Sequence, residues 1–157
     1  MSIAVGKPAP DFTLNDAKGK PVELAKFKGK NVVVYFYPKN NTPGCTKEAC
    51  SFRDLWSDIK ALGVVVIGIS PDTEESHRKF AAEHKLPFIL LADPDKKVMK
   101  AYGAFGEKMM YGKKVEGVIR STVWIGPDGL VKKHWAKVAK AETHPQAVLE
   151  ALQAELS

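Results

Sequence analysis

The chain has little that could staple or embed it. Its 157 residues include two cysteines, Cys45 and Cys50, too few for a disulfide framework and without the second pair of a cysteine-built zinc site. The four histidines are scattered. His77 and His84 stand seven residues apart, too far to share a metal easily on one helix. They are read, with His134 and His144, as packing or surface residues, and no metal or cofactor is expected. No apolar run approaches the roughly 20 residues that span a bilayer, so no membrane partner is expected. The N-terminus shows no charged stretch followed by an apolar one. No signal peptide is therefore recognised, and a reducing, cytoplasmic setting is expected, where a disulfide is more often catalytic than structural. Internal repeats and low-complexity linkers are missing too. The net charge is +6, but the lysines are spread in twos and threes, such as Lys113 with Lys114 and Lys132 with Lys133. That reads as a solvated basic surface, not as the dense stripe of a nucleic-acid binder.

What is present is a globular composition, 45% apolar and 27% charged, with length for one domain over 1–157 and a sizeable core. Phe12-Thr13-Leu14 and Val22-Glu23-Leu24 flank the turn Asp16-Ala17-Lys18-Gly19 as an N-terminal hairpin. Val32 to Tyr37, Val64 to Ile69 and Phe88 to Leu91 are continuous apolar runs, the pattern of strands buried on both faces. Phe52, Leu55, Trp56, Ile59 and Leu62 recur at helical steps and predict one helix that Gly63 ends. Further helices are predicted from about Thr73 to Lys85, Lys96 to Tyr102 and Pro145 to Leu156. Gly126-Pro127-Asp128-Gly129 is a turn between Ser121–Ile125 and Val131–Trp135. The order implies an α/β protein, a mixed sheet with helices on both faces, compatible with a thioredoxin-like fold.

The chemistry sits behind the first buried strand. Thr42-Pro43-Gly44-Cys45-Thr46-Lys47-Glu48-Ala49-Cys50 puts a cysteine in the first turn of a helix that follows a Pro-Gly turn. Unpaired N–H groups at a helix start favour an anion, and a thiol with an ordinary pKa of about 8.5 can fall by a unit or more there. Helical phase separates the two thiols. Cys45 shares the core stripe of Ala49 and Phe52, whereas Cys50 lines up with Arg53, Asp54 and Ser57 on the polar face. Five residues of helix set the Cα atoms about 8.5 Å apart, beyond the roughly 7 Å that a disulfide spans. The spacing speaks against a permanent bridge and leaves open a catalytic one, formed as the first turns unwind. Glu48, three residues after Cys45, can cap the helix or pair with a base. Thr42 can be an N-cap or a turn residue, Pro38 can simply end its strand, and Arg120 can be a surface residue at a strand start.

Tyr37-Pro38-Lys39-Asn40-Asn41-Thr42-Pro43-Gly44-Cys45 through Cys50 resembles the active-site segment of the peroxiredoxins, closest to the peroxiredoxin Q or bacterioferritin comigratory protein group. Gly6 to Phe12, Leu86-Pro87-Phe88 to Asp93, Val118 to Thr122 and Gly126 to Gly129 resemble the group's other landmarks, so the likeness runs along nearly the whole chain. The resemblance implies a thioredoxin-like fold and thiol-dependent reduction of hydrogen peroxide and organic hydroperoxides. It implies Cys45 as the peroxidatic cysteine, Thr42 and Arg120 as its catalytic pair, Pro38 as a shield against water, and Cys50 at the resolving position that one subset uses. It further implies thioredoxin or a similar dithiol as reductant, and often a monomer. Asn40 departs from the acidic residue common in the group, with little effect expected on the chemistry. A peroxide-sensing thiol switch and a thioredoxin-like disulfide oxidoreductase are the competing classes. The second would want a Cys-x-x-Cys pair, and the four-residue spacer here argues against it.

Overall fold

The protein's structure, a computed structural model, describes residues 3–156. Met1, Ser2 and Ser157, the ends of the expected 1–157 domain, lie outside them. The predicted hairpin forms as β1 (Thr13–Asp16) and β2 (Pro21–Glu23), with a short 3-10 turn after it. The three apolar runs become β3 (Asn31–Phe36), β4 (Val64–Ser70) and β5 (Ile89–Ala92), paired in parallel. The helices are α1 (Pro43–Asp54), α2 (Trp56–Ala61), α3 (Glu74–His84), α4 (Lys97–Ala101) and α5 (His144–Leu156). Four more strands complete the set: β6 (Phe105–Met110), β7 (Lys113–Val118), β8 (Ser121–Ile125) and β9 (Val131–Trp135). The main sheet has the order β2-β1-β5-β4-β3-β8-β9, while β6 and β7 form a sheet of their own. The mixed sheet flanked by helices that the sequence implied is therefore present.

Strand pleat divides the core in two. Val33, Tyr35 and Tyr37 face one side with Phe52, Phe80, Phe88 and Leu152. Val32, Val34 and Phe36 face the other with Ile67, Ile69, Met99 and Tyr102. Alternate residues of one strand thus serve two layers, which is why β3 reads as an unbroken apolar run. Gly68 on β4 is part of the same packing, since a Cβ there would stand 2.8 Å from the Tyr35 ring. Truncating a fully buried ring such as Phe52 to Ala would cost about 3–5 kcal/mol.

Two features differ from expectation. The helix predicted to run unbroken to Leu62 is interrupted at Leu55 (φ −94°, ψ 1°), and α1 packs on α5 while α2 packs on β4. Tertiary contact in two directions overrides a periodicity that no Gly or Pro interrupts. The β6–β7 hairpin was not expected at all. Its two-residue loop, Tyr111-Gly112, has positive φ at both positions (54° and 77°). That is the combination Asn-Gly or Asp-Gly usually signals, and Tyr111 hides it.

Candidate active site

Cys45 is the third residue of α1, which begins where β3 ends at the carboxyl edge of the parallel strands. Pro43 needs no partner for a missing N–H and carries a helix-ready φ, so the helix starts there. The Cys45 side chain points into the sheet and is 1% exposed, in the same layer as Ala49 and Phe52. The predicted core-facing phase is the observed one.

Arg120 arrives from the neighbouring strand. β8 pairs antiparallel with β3, Phe36 opposite Ser121, so the residue before Ser121 falls beside the end of β3. The Arg120 carbonyl accepts from Val138 N at 2.8 Å, which fixes its backbone. Its Nη2 donates to Cys45 Sγ at 3.2 Å and its Nη1 to Glu48 Oε1 at 2.6 Å. One turn of helix links Cys45 to Glu48, so both face the guanidinium together. Gly44 keeps the approach open, because a Cβ there would sit 3.3 Å from Arg120 Nη2.

The charges in this cluster are tightly coupled. Glu48 is fully buried and its Oε2 has no hydrogen-bond partner among the described residues. Burial pushes its carboxyl up to about 7, although Arg120 pulls the other way. Burial also works against the Arg120 charge, but Glu48 and Cys45 more than offset it, and the guanidinium is held above its ordinary value. The pair leaves a permanent positive charge with donors aimed at the sulfur. The Tyr35 hydroxyl lies in the same buried region without a partner among the described residues, and burial raises it well above the ordinary phenol.

Pro38 and Arg120 share the wall of an open cavity of about 390 Å³, lined also by Lys108, Val118, Ile119 and Val138. Another cavity, about 240 Å³ between Pro8, Phe27 and Ile125, shares no residue with this cluster. Thr42 holds the N-cap position of α1 with extended backbone, but its side chain makes no cap bond. Its hydroxyl donates to Lys39 O at 2.9 Å. Cys45, Arg120 and Glu48 are thus in direct contact, Pro38 joins Arg120 on the cavity wall, and Thr42 stands at the helix entrance. Glu48, left open between a cap and an ion pair in the sequence, makes the ion pair.

Asn40 turns out to be a structural hub. Its N–H donates to Asp72 Oδ2 at 2.9 Å, its Oδ1 accepts from the Tyr37 hydroxyl at 2.6 Å, and its Nδ2 reaches Ser76 Oγ at 3.1 Å. His77, read as a packing or surface residue, is buried here 3.1 Å from Asn40 Nδ2, and burial lowers its pKa. These bonds tie the loop before α1 to the loop after β4 and to α3. A lone asparagine in a loop carries no sequence signal for such a role.

Cys50 looks elsewhere. It is half-buried, and its Sγ lies 3.9 Å from His84 Nδ1 at the last residue of α3. Arg53 Nη1 donates to His84 O at 2.8 Å. On the face expected to be polar, Asp54 and Ser57 are exposed, while Cys50 and Arg53 lie against the end of α3. Both cysteines are free thiols. Among the described residues, no group of three or more His, Cys, Asp or Glu could hold a metal ion, and no helix is long and apolar enough to cross a membrane.

Residues 5–134 match the model of the AhpC/TSA family. The chain belongs to the AhpC/TSA family, in its peroxiredoxin Q/Bcp group. It is 47% identical to a putative peroxiredoxin bcp of Coxiella burnetii over 95% of this chain and 98% of that protein. It is 46% identical to peroxiredoxin Bcp of Bacillus subtilis over 98% and 95% of the two chains. Peroxiredoxin Q of Xanthomonas campestris superposes with a TM-score of 0.89 at 37% identity, covering 98% of this chain and 99% of the other. The Xanthomonas campestris bacterioferritin comigratory protein, studied for its alkyl peroxide reduction activity, gives a TM-score of 0.90 at 36% identity, covering 98% and 100%. The thioredoxin-like fold follows, and the enzyme class of this peroxiredoxin is thiol peroxidase.

Proposed function

We propose that this peroxiredoxin reduces hydrogen peroxide and organic hydroperoxides with Cys45 as the attacking thiolate and Cys50 as the thiol that resolves it. The observation that carries the reading is Arg120 Nη2 3.2 Å from the Cys45 sulfur, on the wall of a cavity shared with Pro38. The reduction of alkyl peroxides by the Xanthomonas relative supports the organic substrates.

The Cys45 thiolate attacks one peroxide oxygen, the O–O bond breaks, and the other oxygen leaves as hydroxide or alkoxide to take up a proton. Arg120 holds the anion and meets charge that grows across the breaking bond. Glu48 holds Arg120 in that position. The Thr42 hydroxyl, while donating to Lys39 O, still has lone pairs to accept from the peroxide proton. Pro38 has no N–H and a rigid ring, which suits a wall against water. Cys45 becomes a sulfenic acid.

Cys50 then condenses with it. The intact helix holds the two Cα atoms about 8.5 Å apart, so the first turns of α1 unwind for the bond to form. Thioredoxin or a similar dithiol reduces the bridge. The catalytic unit is one domain, acting as a monomer in the cytoplasm.

The test is peroxide consumption with thioredoxin, thioredoxin reductase and NADPH. Cys45→Ser loses all activity. Cys50→Ser keeps one turnover of peroxide reduction and loses the cycle. Full cycling of Cys50→Ser means resolution by an outside thiol, and activity in Cys45→Ser overturns the reading.

A further inference from the structure

Resolution asks something of Cys50 that the Cys45 cluster does not supply. A thiol condenses with a sulfenic acid as its thiolate, so a proton must leave Cys50. Arg120 and Glu48 sit on the other side of the helix, against Cys45. The group beside Cys50 is His84, Nδ1 3.9 Å from its sulfur.

Three further contacts surround that residue. Arg53, one turn on from Cys50, donates to the His84 carbonyl at 2.8 Å. The Phe80 ring lies edge-on at 5.0 Å. His84 Nε2 is buried without a hydrogen-bond partner among the described residues, and the Glu83 carboxylate lies 4.0 Å away. From α1, Cys50 and Arg53 face the ring, with Asp54 bonded to Arg53. From α3 itself the facing charge is Glu83. If Nδ1 is the acceptor, Nε2 carries the hydrogen and points to the side of the carboxylate, the tautomer a base for Cys50 requires.

We propose that His84 is the general base for resolution, taking the Cys50 thiol proton so that Cys50 can attack oxidised Cys45. The proposal rests on the Cys45–Cys50 reading above. The proton passes from Cys50 Sγ to His84 Nδ1. The thiolate attacks the Cys45 sulfur, the S–S bond forms as the S–O bond breaks, and the departing hydroxide takes a proton from the imidazolium to leave as water. No further oxidant is needed. The Arg53 bond matters because it ties α1 beyond Cys50 to the end of α3. Unwinding ahead of Arg53 leaves the moving thiol near the base.

The experiment is rapid mixing of the full chain with sub-stoichiometric hydrogen peroxide, quenching with acid and counting disulfide by peptide mass. Wild type, His84→Gln and His84→Ala are compared, with and without imidazole in the buffer. The expected result is unchanged consumption of peroxide in the first turnover, but disulfide formation slowed by about 100-fold in both variants, the range a positioned base contributes. Imidazole restores the rate in His84→Ala, which a purely structural loss would not permit. The slowed step also gains a steeper rise with pH, as Cys50 must then ionise without help. Disulfide formation at the wild-type rate in both variants overturns the proposal, as does slowing that imidazole leaves untouched. A wild type that forms no Cys45–Cys50 bond overturns the two-cysteine reading itself, and the two failures are told apart by the wild-type trace.

Discussion

Cys45 and Cys50 stand five residues apart on one helix and live in different surroundings. The first is buried against the sheet, with a guanidinium on its sulfur and a fully buried carboxyl behind that. The second is half-buried against the end of another helix, with an imidazole at its sulfur. Rotation along α1 decides this, because each step of about 100° turns a side chain to a new neighbour. The roles proposed for the two thiols, attack for Cys45 and resolution for Cys50, follow these two surroundings. On the intact helix the two Cα atoms stand about 8.5 Å apart, too far for a disulfide. The buried cluster belongs to the stable core, and the Cys50 side depends on two contacts to α3.

The sharpest break in that comparison is at Arg120. Arg120→Met removes the charge from the Cys45 side and leaves the Cys50 side untouched. First-turnover peroxide consumption should fall by about 10²–10³-fold, the loss typical of a preorganised donor, while disulfide formation from any sulfenic acid made keeps its rate. The same change leaves the buried Glu48 carboxyl protonated and without its bond to the guanidinium, at a cost of about 1–3 kcal/mol. Stopped-flow kinetics and urea melts read the two effects.

Next in size is Thr42→Val, which removes the hydroxyl proposed to accept from the peroxide. About tenfold slower attack is expected, from a hydrogen bond of about 1.4 kcal/mol. Equal slowing of disulfide formation would mean that the bond to Lys39 O matters more than substrate contact.

The remaining differences are in pH dependence. Glu48 holds its proton up to about 7 against an ordinary value of 4.5. Between those values the folded chain keeps a proton that the unfolded chain has released, so this group lowers stability as pH rises through the window. Glu48→Gln should flatten that slope in chemical melts at pH 5 and 7.5. His144 acts the other way. It is buried, bonded to Thr122 Oγ1 at 2.8 Å, and burial followed by the nearby Arg120 lowers it from 6.5 to about 4. The unfolded chain binds its proton first, so stability drops as pH falls from 6.5 towards 4. His144→Gln should remove this acid loss.

Much of this was legible in the chain. The apolar runs at Val32, Val64 and Phe88 mark the central parallel strands because both of their faces are buried, and helical phase separates Cys45 from Cys50 before any coordinates. Arg120 was readable only through resemblance, since nothing local says that a residue 75 positions on meets Cys45. Glu48 could not be decided without knowing that Arg120 arrives. His84 stayed hidden because the contact joins two helices, and Asn40 because its partners lie in the loop after β4 and on α3. The interruption at Leu55 and the Tyr111-Gly112 turn were invisible for a different reason: tertiary packing bends one, and an unusual residue fills the other.

The most direct test is a peptide map after less than one equivalent of hydrogen peroxide. Trypsin cleaves after Lys47, which leaves Cys45 and Cys50 on separate peptides unless a disulfide joins them. The expected product is the linked pair in wild type, absent in Cys50→Ser, where Cys45 is instead found as sulfenic acid. Wild-type protein that reduces peroxide and yields oxidised Cys45 with no link to Cys50 would contradict the division of labour between the two thiols.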